Sequence, residues 1–296
     1  MQKSVELSII IVNFNTKDLT VSCLESIRNT KKNSDRWEVI VVDNGSHDDL
    51  GDHLTRMGKN DIFYRNVLFI ANPENAGFSK ANNIGIKKST GAYVLLLNSD
   101  TEVRSDAIDV MLQFMRDRPK AGVATAKLEL LNGRIDPASH RGFPTPWASF
   151  TYFVKLERIF PDSALFGQYH MGYKNMQAAH EIDCPSGAFF LIRRVVIEAV
   201  GLLDENFFMY GEDVDWAYRV KQAGWQIWFN PRAVVLHKKK QSGRAHGDVE
   251  LRKRTQEYFY ETMLLFYEKH YKKKYPVFLY YIIRTAIRTV NFFTNR

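Results

Sequence analysis

A chain of 296 residues with 45% hydrophobic content can bury a substantial core, as one large domain or two small ones, and this excludes the disordered and low-complexity classes. Its two cysteines, Cys23 and Cys184, are too few for a disulfide framework and read as buried thiols, which favours the cytoplasm; no run reaches the roughly 18 apolar residues of a membrane span. The net charge of +8 asks for an acidic partner, and its crowding into the last third of the chain narrows the choice.

From the amino end, "LSIIIVNFN" (Leu7 to Asn15) is a β-branched run closed by Asn13 and Asn15, too short and too quickly polar for a signal peptide. Leu19, Cys23, Leu24 and Ile27 then form one helical stripe. "WEVIVVDNGSHDD" (Trp37 to Asp49) is a second strand running into Asp43. Within "NPENAGFSKANNIGI", Ser79 to Lys88 suits a short helix. "VLLLNSDTEV" (Val94 to Val103) is a third strand, apolar until Asn98, Ser99 and Asp100. Strand, helix, strand, helix, strand predicts an α/β fold of right-handed crossover units around a parallel sheet covered on both faces. Taken singly, Ser99, Asp100 and Thr101 read as a turn before the next helix. In a parallel sheet, however, Asn13, Asp43 and Asp100 converge on one rim, where open α/β sheets bind ligands.

The span Asp106 to Arg118 predicts a helix with Ile108, Met111, Leu112 and Met115 on one face, stopped by Pro119, and "AGVATAKLEL" a further strand. A soft boundary near Lys120 separates a first part, 1–120, which carries the strand-end rim, from a second part of the same domain, 121–245. From Asn132 to Ile182 the pattern dissolves into Gly, Pro and aromatic residues, as in a long functional or mobile insertion. "PSGAFFLIRR" is a strand entered through a glycine. In "LLDENFFMYGEDVDWAYRVKQAGW" (Leu202 to Trp225) a helix ends at Gly224, with Glu212 and Asp213 at its amino end. Either acid alone reads as a partner of the helix dipole worth under about 1 kcal/mol. The bulky apolar stretch and Gly211 before them favour a carboxylate held in a pocket.

In the last third, "HKKKQSGR", "LRKRTQ" and "EKHYKKKY", with Arg284, Arg288 and Arg296, are interleaved with Tyr258, Phe259, Tyr271, Tyr275 and "VFLYYII". That is too apolar for a nucleic-acid arm, and nucleic acid is not expected as a partner. It is the composition of a segment lying in anionic headgroups. Leu251 to Phe266 recurs at helical spacing and is expected to pack on the core; Tyr275 to Phe293 is expected at a membrane surface, within a helical segment 246–296.

"SIIIVNFNT", "VVDNGSHDD", "NAGFSKANNIG", "LLLNSDTEV", "PSGAFFLIRR", "GEDVDWAYRVKQAGW" and "VVLHKKKQS" occur in the order seen in glycosyltransferase family 2, which the chain resembles from about Leu7 to Ser242. The N-x-GF-x-x-A-N-N-x-G segment with an Asn-first "NSD" looks most like the bacterial rhamnosyltransferase branch. The resemblance implies a GT-A type, Rossmann-like sandwich with a mostly parallel sheet and a metal-dependent, inverting transfer from a nucleotide-sugar. For this branch the donor sugar would be L-rhamnose from a dTDP-sugar. The acceptor would be a saccharide or a polyprenyl-diphosphate-linked saccharide at the inner face of the cell membrane, in cell-surface polysaccharide synthesis. It implies donor contacts at Asn13, Asn15, Asp43, Asn75, Gly77, Asn82, Asn98 and Ser99. Asp100 matches the metal-ligating last acid of the family's D-x-D motif, and Asn98 replaces the first acid. A hard carboxylate suits Mg²⁺ or Mn²⁺. His237 matches a family histidine near the diphosphate and reads equally as a strand-end histidine facing water. Asp213 matches the catalytic base, with Glu212 the runner-up, since sequence does not say which of two adjacent acids faces the acceptor.

Two other classes stay open. A nucleotidyltransferase of sugar phosphates also places acids at strand ends, but "VNFNTKD" lacks the glycine-rich phosphate loop expected after its first strand. A non-catalytic membrane scaffold would retain the fold and tolerate loss of Asp213.

Overall fold

The computed structural model describes residues 4–30, 36–239 and 249–294. Four strands, β1 (Leu7–Asn13), β2 (Trp37–Asn44), β3 (Leu68–Asn72) and β4 (Tyr93–Asn98), run parallel in the order β3-β2-β1-β4. Register sets Asn13 beside Asp43 and Val12 beside Asn98, so the polar strand ends share one rim as expected. β1 is apolar but for Ser8 and its terminal Asn13, because both faces are covered. Leu7, Ile9 and Ile11 pack with Cys23, Leu24 and Ile27 of α1 (Lys17–Arg28); Ile10 packs with Ala81 and Ile86 of α4 (Phe78–Lys88). Both cysteines are buried, and burial pushes the Cys23 thiol up to about 12.

The other half of the sheet is mixed. After the short β5 (Thr101–Val103) and α5 (Ala107–Arg116) come β6 (Ala121–Leu130), β7 (His180–Glu181), β8 (Phe189–Arg193) and β9 (Gln226–His237). β8 is antiparallel to both β4 and β6; β6 is parallel to β9; and β5 pairs antiparallel with the end of β9, Thr101 opposite His237. Two elements between β2 and β3, α2 (Leu50–Gly58) and α3 (Ile62–Arg65), carry no long apolar run, and β3 is short and half-exposed. β9 contains Pro231, which sits where its register with β6 slips: Ala126 faces Asn230 and Lys127 faces Val234. A proline inside a strand is accommodated at such an irregularity, and it breaks the β-branched run that would reveal the strand in sequence.

The Asn132 to Ile182 stretch is more ordered than its composition predicts. It holds a 3₁₀ turn (Pro137–Ser139), α6 (Pro146–Phe153) and α7 (Leu156–Ile159) as well as β7. Thr145 caps α6, accepting from the Ala148 amide at 3.1 Å, with Pro146 at the first helical position. Apolar residues surround α6, so it has no amphipathic period to detect.

After α8 (Arg194–Val200) and α9 (Glu212–Gln222), the chain ends in α10 (Val249–His270) and α11 (Val277–Thr294). α10 packs on the core through Tyr260, Phe266 and Tyr267, as expected. α11 is two-faced rather than wholly superficial: Tyr280 is buried and Ile283 packs beside it, while Phe278, Tyr281 and Ile282 are exposed. Lys240 to Arg244 and Arg296 of the basic runs lie outside the described residues, as do the side chains of Leu251, Arg252 and Phe293. No described helix is long and apolar enough to cross a membrane.

Candidate active site

At the rim, Asn13 is a hub. Its amide donates to Asp43 Oδ1 at 2.7 Å and to Ser46 Oγ at 3.0 Å, while its carbonyl accepts from the hydroxyls of Thr16 and Thr20. Asp43 Oδ2 accepts from the Ser46 amide, and Asn15 accepts from the His47 amide. The loop after β2 is thereby clamped to the end of β1. Beside it an open cavity of about 460 Å³ is lined by Asp43, Ser46, His47, Asp48, Phe69 and Ala71. Acceptor oxygens next to one ring suit a nucleoside's hydroxyls and base.

Asn75 accepts from Asn44 Nδ2 and from its own loop's Gly77 amide. Gly77, at φ +86°, starts α4; a side chain there would strike Phe208, whose carbonyl takes the Phe78 amide at 2.7 Å. Asn82 is buried in α4 and donates to the Phe78 carbonyl, so its amide serves its own helix; Ser99 pairs with Thr16. These residues build the rim's walls. Asn98 Oδ1 differs: it is buried with no hydrogen-bond partner among the described residues.

Asp100 and His237 face one another, Oδ1 to Nε2 at 3.3 Å, both buried. Behind the imidazole, Asp136 Oδ2 takes Nδ1 at 2.9 Å, and Lys239 neutralises Asp136. His237 therefore does not face water. Against the opposing effect of burial, the hydrogen bonds it donates to both carboxylates raise it to about 9, and Asp136 is held well below the usual carboxylate range although burial alone would raise it. Among the described residues no cluster of three or more metal-ligating side chains is preformed. Asp100 and, once a cation displaces the proton that Nε2 shares with it, His237 are the residues that would hold a divalent cation, with the orphaned Asn98 oxygen two residues before Asp100.

The acids at the start of α9 are not equivalent. Asp213 Oδ2 is held by Arg141 Nη2 at 2.6 Å and its Oδ1 by the Val214 amide at 2.8 Å. Arg141 is raised well above its ordinary value, the Asp213 charge outweighing burial. Glu212 is more deeply buried, Oε2 lacks a partner, and burial followed by the Asp213 charge pushes it up to about 8. The segment before β8 links this pair to the rim: Ala188 O accepts from the Asn98 amide, and a Cβ built on Gly187 would lie 3.9 Å from Glu212 Oε1. Sequence reasoning missed Arg141 and Asp136, which both lie at the start of the stretch without periodicity; a charged residue in the aromatic "HRGFPTPW" was the available signal.

Residues 8–201, more than half the chain, match the model described as Glycosyl transferase family 2. The chain belongs to glycosyl transferase family 2. This family 2 chain is 33% identical over 135 residues to a poly(ribitol-phosphate) beta-glucosyltransferase of Bacillus spizizenii, an alignment covering 45% of this chain and 21% of that protein. It is 23% identical over 233 residues to a poly-beta-1,6-N-acetyl-D-glucosamine synthase of Staphylococcus aureus, covering 77% and 48%. The chain thus spans half or less of the length of either relative. The mannosyltransferase PcManGT of Pyrobaculum calidifontis, solved with GDP-Man and Mn²⁺, superposes with a TM-score of 0.63 at 16% identity, covering 95% of this chain and 69% of that one. The family 2 chain shares the GT-A fold, a mixed α/β sandwich with a largely parallel sheet.

Proposed function

We propose that this family 2 chain transfers a sugar, with inversion, from a nucleoside-diphosphate donor to a hydroxyl of a saccharide acceptor. The observation that carries the reading is the Asp213 carboxylate, oriented by Arg141 and the Val214 amide at the start of α9, where neighbouring Glu212 lies near Gly187 and so near the Ala188 contact with the strand rim. Asp43, Asn13 and the cavity beside them receive the nucleoside. Asp213 takes the acceptor's proton as its oxygen bonds to the anomeric carbon; the bond to the diphosphate breaks and the nucleoside diphosphate leaves with the electron pair. Burial and the neighbouring Asp213 charge push Glu212 up, toward its protonated form, which favours Asp213 as the base. Asp100 and His237 would hold a divalent cation, which when bound offsets charge on the departing diphosphate.

The names of the relatives support work on surface polysaccharides. A rhamnose donor rests on the "NSD" and "NAGFSKANNIG" motifs alone. A lipid-linked acceptor at the inner face of a membrane is supported by the basic residues and exposed apolar face of α11. Calorimetric screening of nucleotide-sugars with Mn²⁺ or Mg²⁺, followed by single-turnover transfer, tests the reading. Binding of a nucleotide-sugar without transfer to any saccharide would return the scaffold alternative, and release of diphosphate from a nucleoside triphosphate would return the nucleotidyltransferase.

A further inference from the structure

An exposed aromatic hairpin springs from the residue that holds Asp213. Backbone bonds between Arg141 and Cys184, 3.0 Å one way and 2.8 Å the other, close the base of the insert. At its far end Trp147, Phe150, Phe153, Ile159, Phe160 and Leu165 stand 41% to 64% exposed. They form one built surface. Trp147 packs on Phe150 and Phe166, Phe160 also packs on Phe166, and Trp147 Nε1 donates to the Leu165 carbonyl at 2.9 Å. An apolar patch of this kind on a folded protein marks an interaction site.

Its chemistry selects among partners. Between residues 146 and 165 there is no Asn or Gln, Glu157 turns inward to His170 at 2.6 Å, and Asp162 is the one exposed acid beside exposed Lys155 and Arg158. A glycan platform needs amides and carboxylates around its rings, and between 146 and 165 there is no side-chain amide and one exposed carboxylate, Asp162. Rings and aliphatics edged by Lys and Arg match an anionic headgroup layer. The base of the insert is also joined to α11 through one largely buried aromatic cluster: Phe143 on Tyr218, Tyr218 on Tyr271, Tyr271 on Tyr267, and Tyr267 on Tyr280.

We propose that the exposed face of α6, α7 and the turn to Leu165 docks on an anionic lipid surface, with α11 as a second contact. This brings the Arg141–Asp213 pair to the side from which a lipid-linked acceptor enters. That orientation rests on the glycosyl-transfer reading above; the docking does not.

Of five tryptophans Trp147 alone is strongly exposed, so it reports on the patch. The full chain is mixed with phosphatidylglycerol vesicles carrying brominated acyl chains. Quenching of emission is expected, and the quenched share should vanish in Trp147→Phe. Substituting Phe150, Phe153 and Ile159 together by Ser should lower vesicle binding about tenfold or more, with melting temperature and nucleoside-diphosphate binding unchanged. Vesicle binding without Trp147 quenching, and undiminished in the triple variant, would overturn the proposal and leave α11 as the contact. Absence of vesicle binding would overturn it too, as would a triple variant altered only in its self-association, which assigns the patch to a second copy. Quenching that persists in a protein unable to transfer any sugar would support the docking and sink the glycosyl-transfer reading.

Discussion

Arg141 and the Val214 amide hold both oxygens of Asp213, while Glu212, one residue earlier, is buried with one oxygen unpartnered. Asp213→Asn keeps the size of the side chain and removes its ability to take a proton. Single-turnover transfer should fall by about 10²–10⁴-fold or more while donor affinity, titrated separately, stays near wild type. A Glu212→Gln enzyme that is the dead one would reverse the roles. Glu212 also makes a prediction about stability. Its folded value of about 8 lies above the ordinary 4.5, so between those values the fold keeps a proton that the unfolded chain has released. That contribution is complete below the unfolded value and is lost as pH rises through about 8. The melting temperature of Glu212→Gln should therefore decline less than wild type between about pH 5 and about pH 9. At the other end of the site, Asp136 fixes the ring of His237 so that Nε2 faces Asp100. Asp136→Asn should weaken Mn²⁺-dependent binding of a nucleoside diphosphate by about 10–100-fold in calorimetry, with metal-free binding unchanged. Equal loss in both conditions would place Asp136 in the nucleotide pocket or in folding alone.

The elements that carry these residues were unequally legible. β1, β2, β4 and β6 are readable because two covered faces impose continuous apolar runs, and α1 and α5 because a one-sided burial imposes a period. The rim followed, since parallel strands put Asn13, Asp43 and the β4 end at Asn98 on one edge by topology alone, with the expected Asp100 two residues beyond that end. β9 was hidden by Pro231, and α6 by rings on all sides; Arg141 and Asp136 act through contacts more than seventy positions along the chain, which no local pattern encodes. α9 itself depends on a local feature that was visible. Gly211 adopts φ +79° before Glu212, and a Cβ there would meet Phe207 and Thr262 at 3.2 Å. Gly211→Ala should cost about 1 kcal/mol or more in stability, read as a lower melting temperature. Because the displaced turn carries Asp213, the rate of transfer should fall more than donor affinity does. A variant that loses both equally would show that the strain spreads into α4, which touches the same stretch through Phe208.

Across the whole molecule, one sheet joins two kinds of work. Its parallel half presents the rim and the cavity proposed for a nucleoside, and its mixed half brings Glu212 and Asp213 beside the segment before β8 and His237 at the end of β9. α10 and α11 close the second face of this half. Their aromatic residues divide by position: Tyr267, Tyr271 and Tyr280 are buried, Tyr267 and Tyr280 stacked with centroids 6.1 Å apart, whereas Phe278 and Ile282 point outward and are 65% and 58% exposed. Tyr280 also donates to Glu268, and Lys274 to the Tyr218 hydroxyl, so the turn between the helices is tied to the core. The carboxyl-terminal segment therefore has a packing role and a surface role that different changes should separate. Deleting 275–296 strips Tyr280 from Tyr267 and exposes an apolar cluster; at roughly 1.5–3 kcal/mol per large buried side chain, the melting temperature should fall by several degrees and the protein should self-associate at higher concentration. Replacing Phe278 and Ile282 together by Ser removes only exposed surface. Its melting temperature should match wild type, its binding to phosphatidylglycerol vesicles should weaken, and added salt should weaken wild-type binding in the same assay, since Arg284 and Arg288 contribute screened attraction. A double variant that melts early would mean that the outer face of α11 is part of the fold; one that melts normally and binds vesicles like wild type would leave the insert at 146–165 as the only lipid contact.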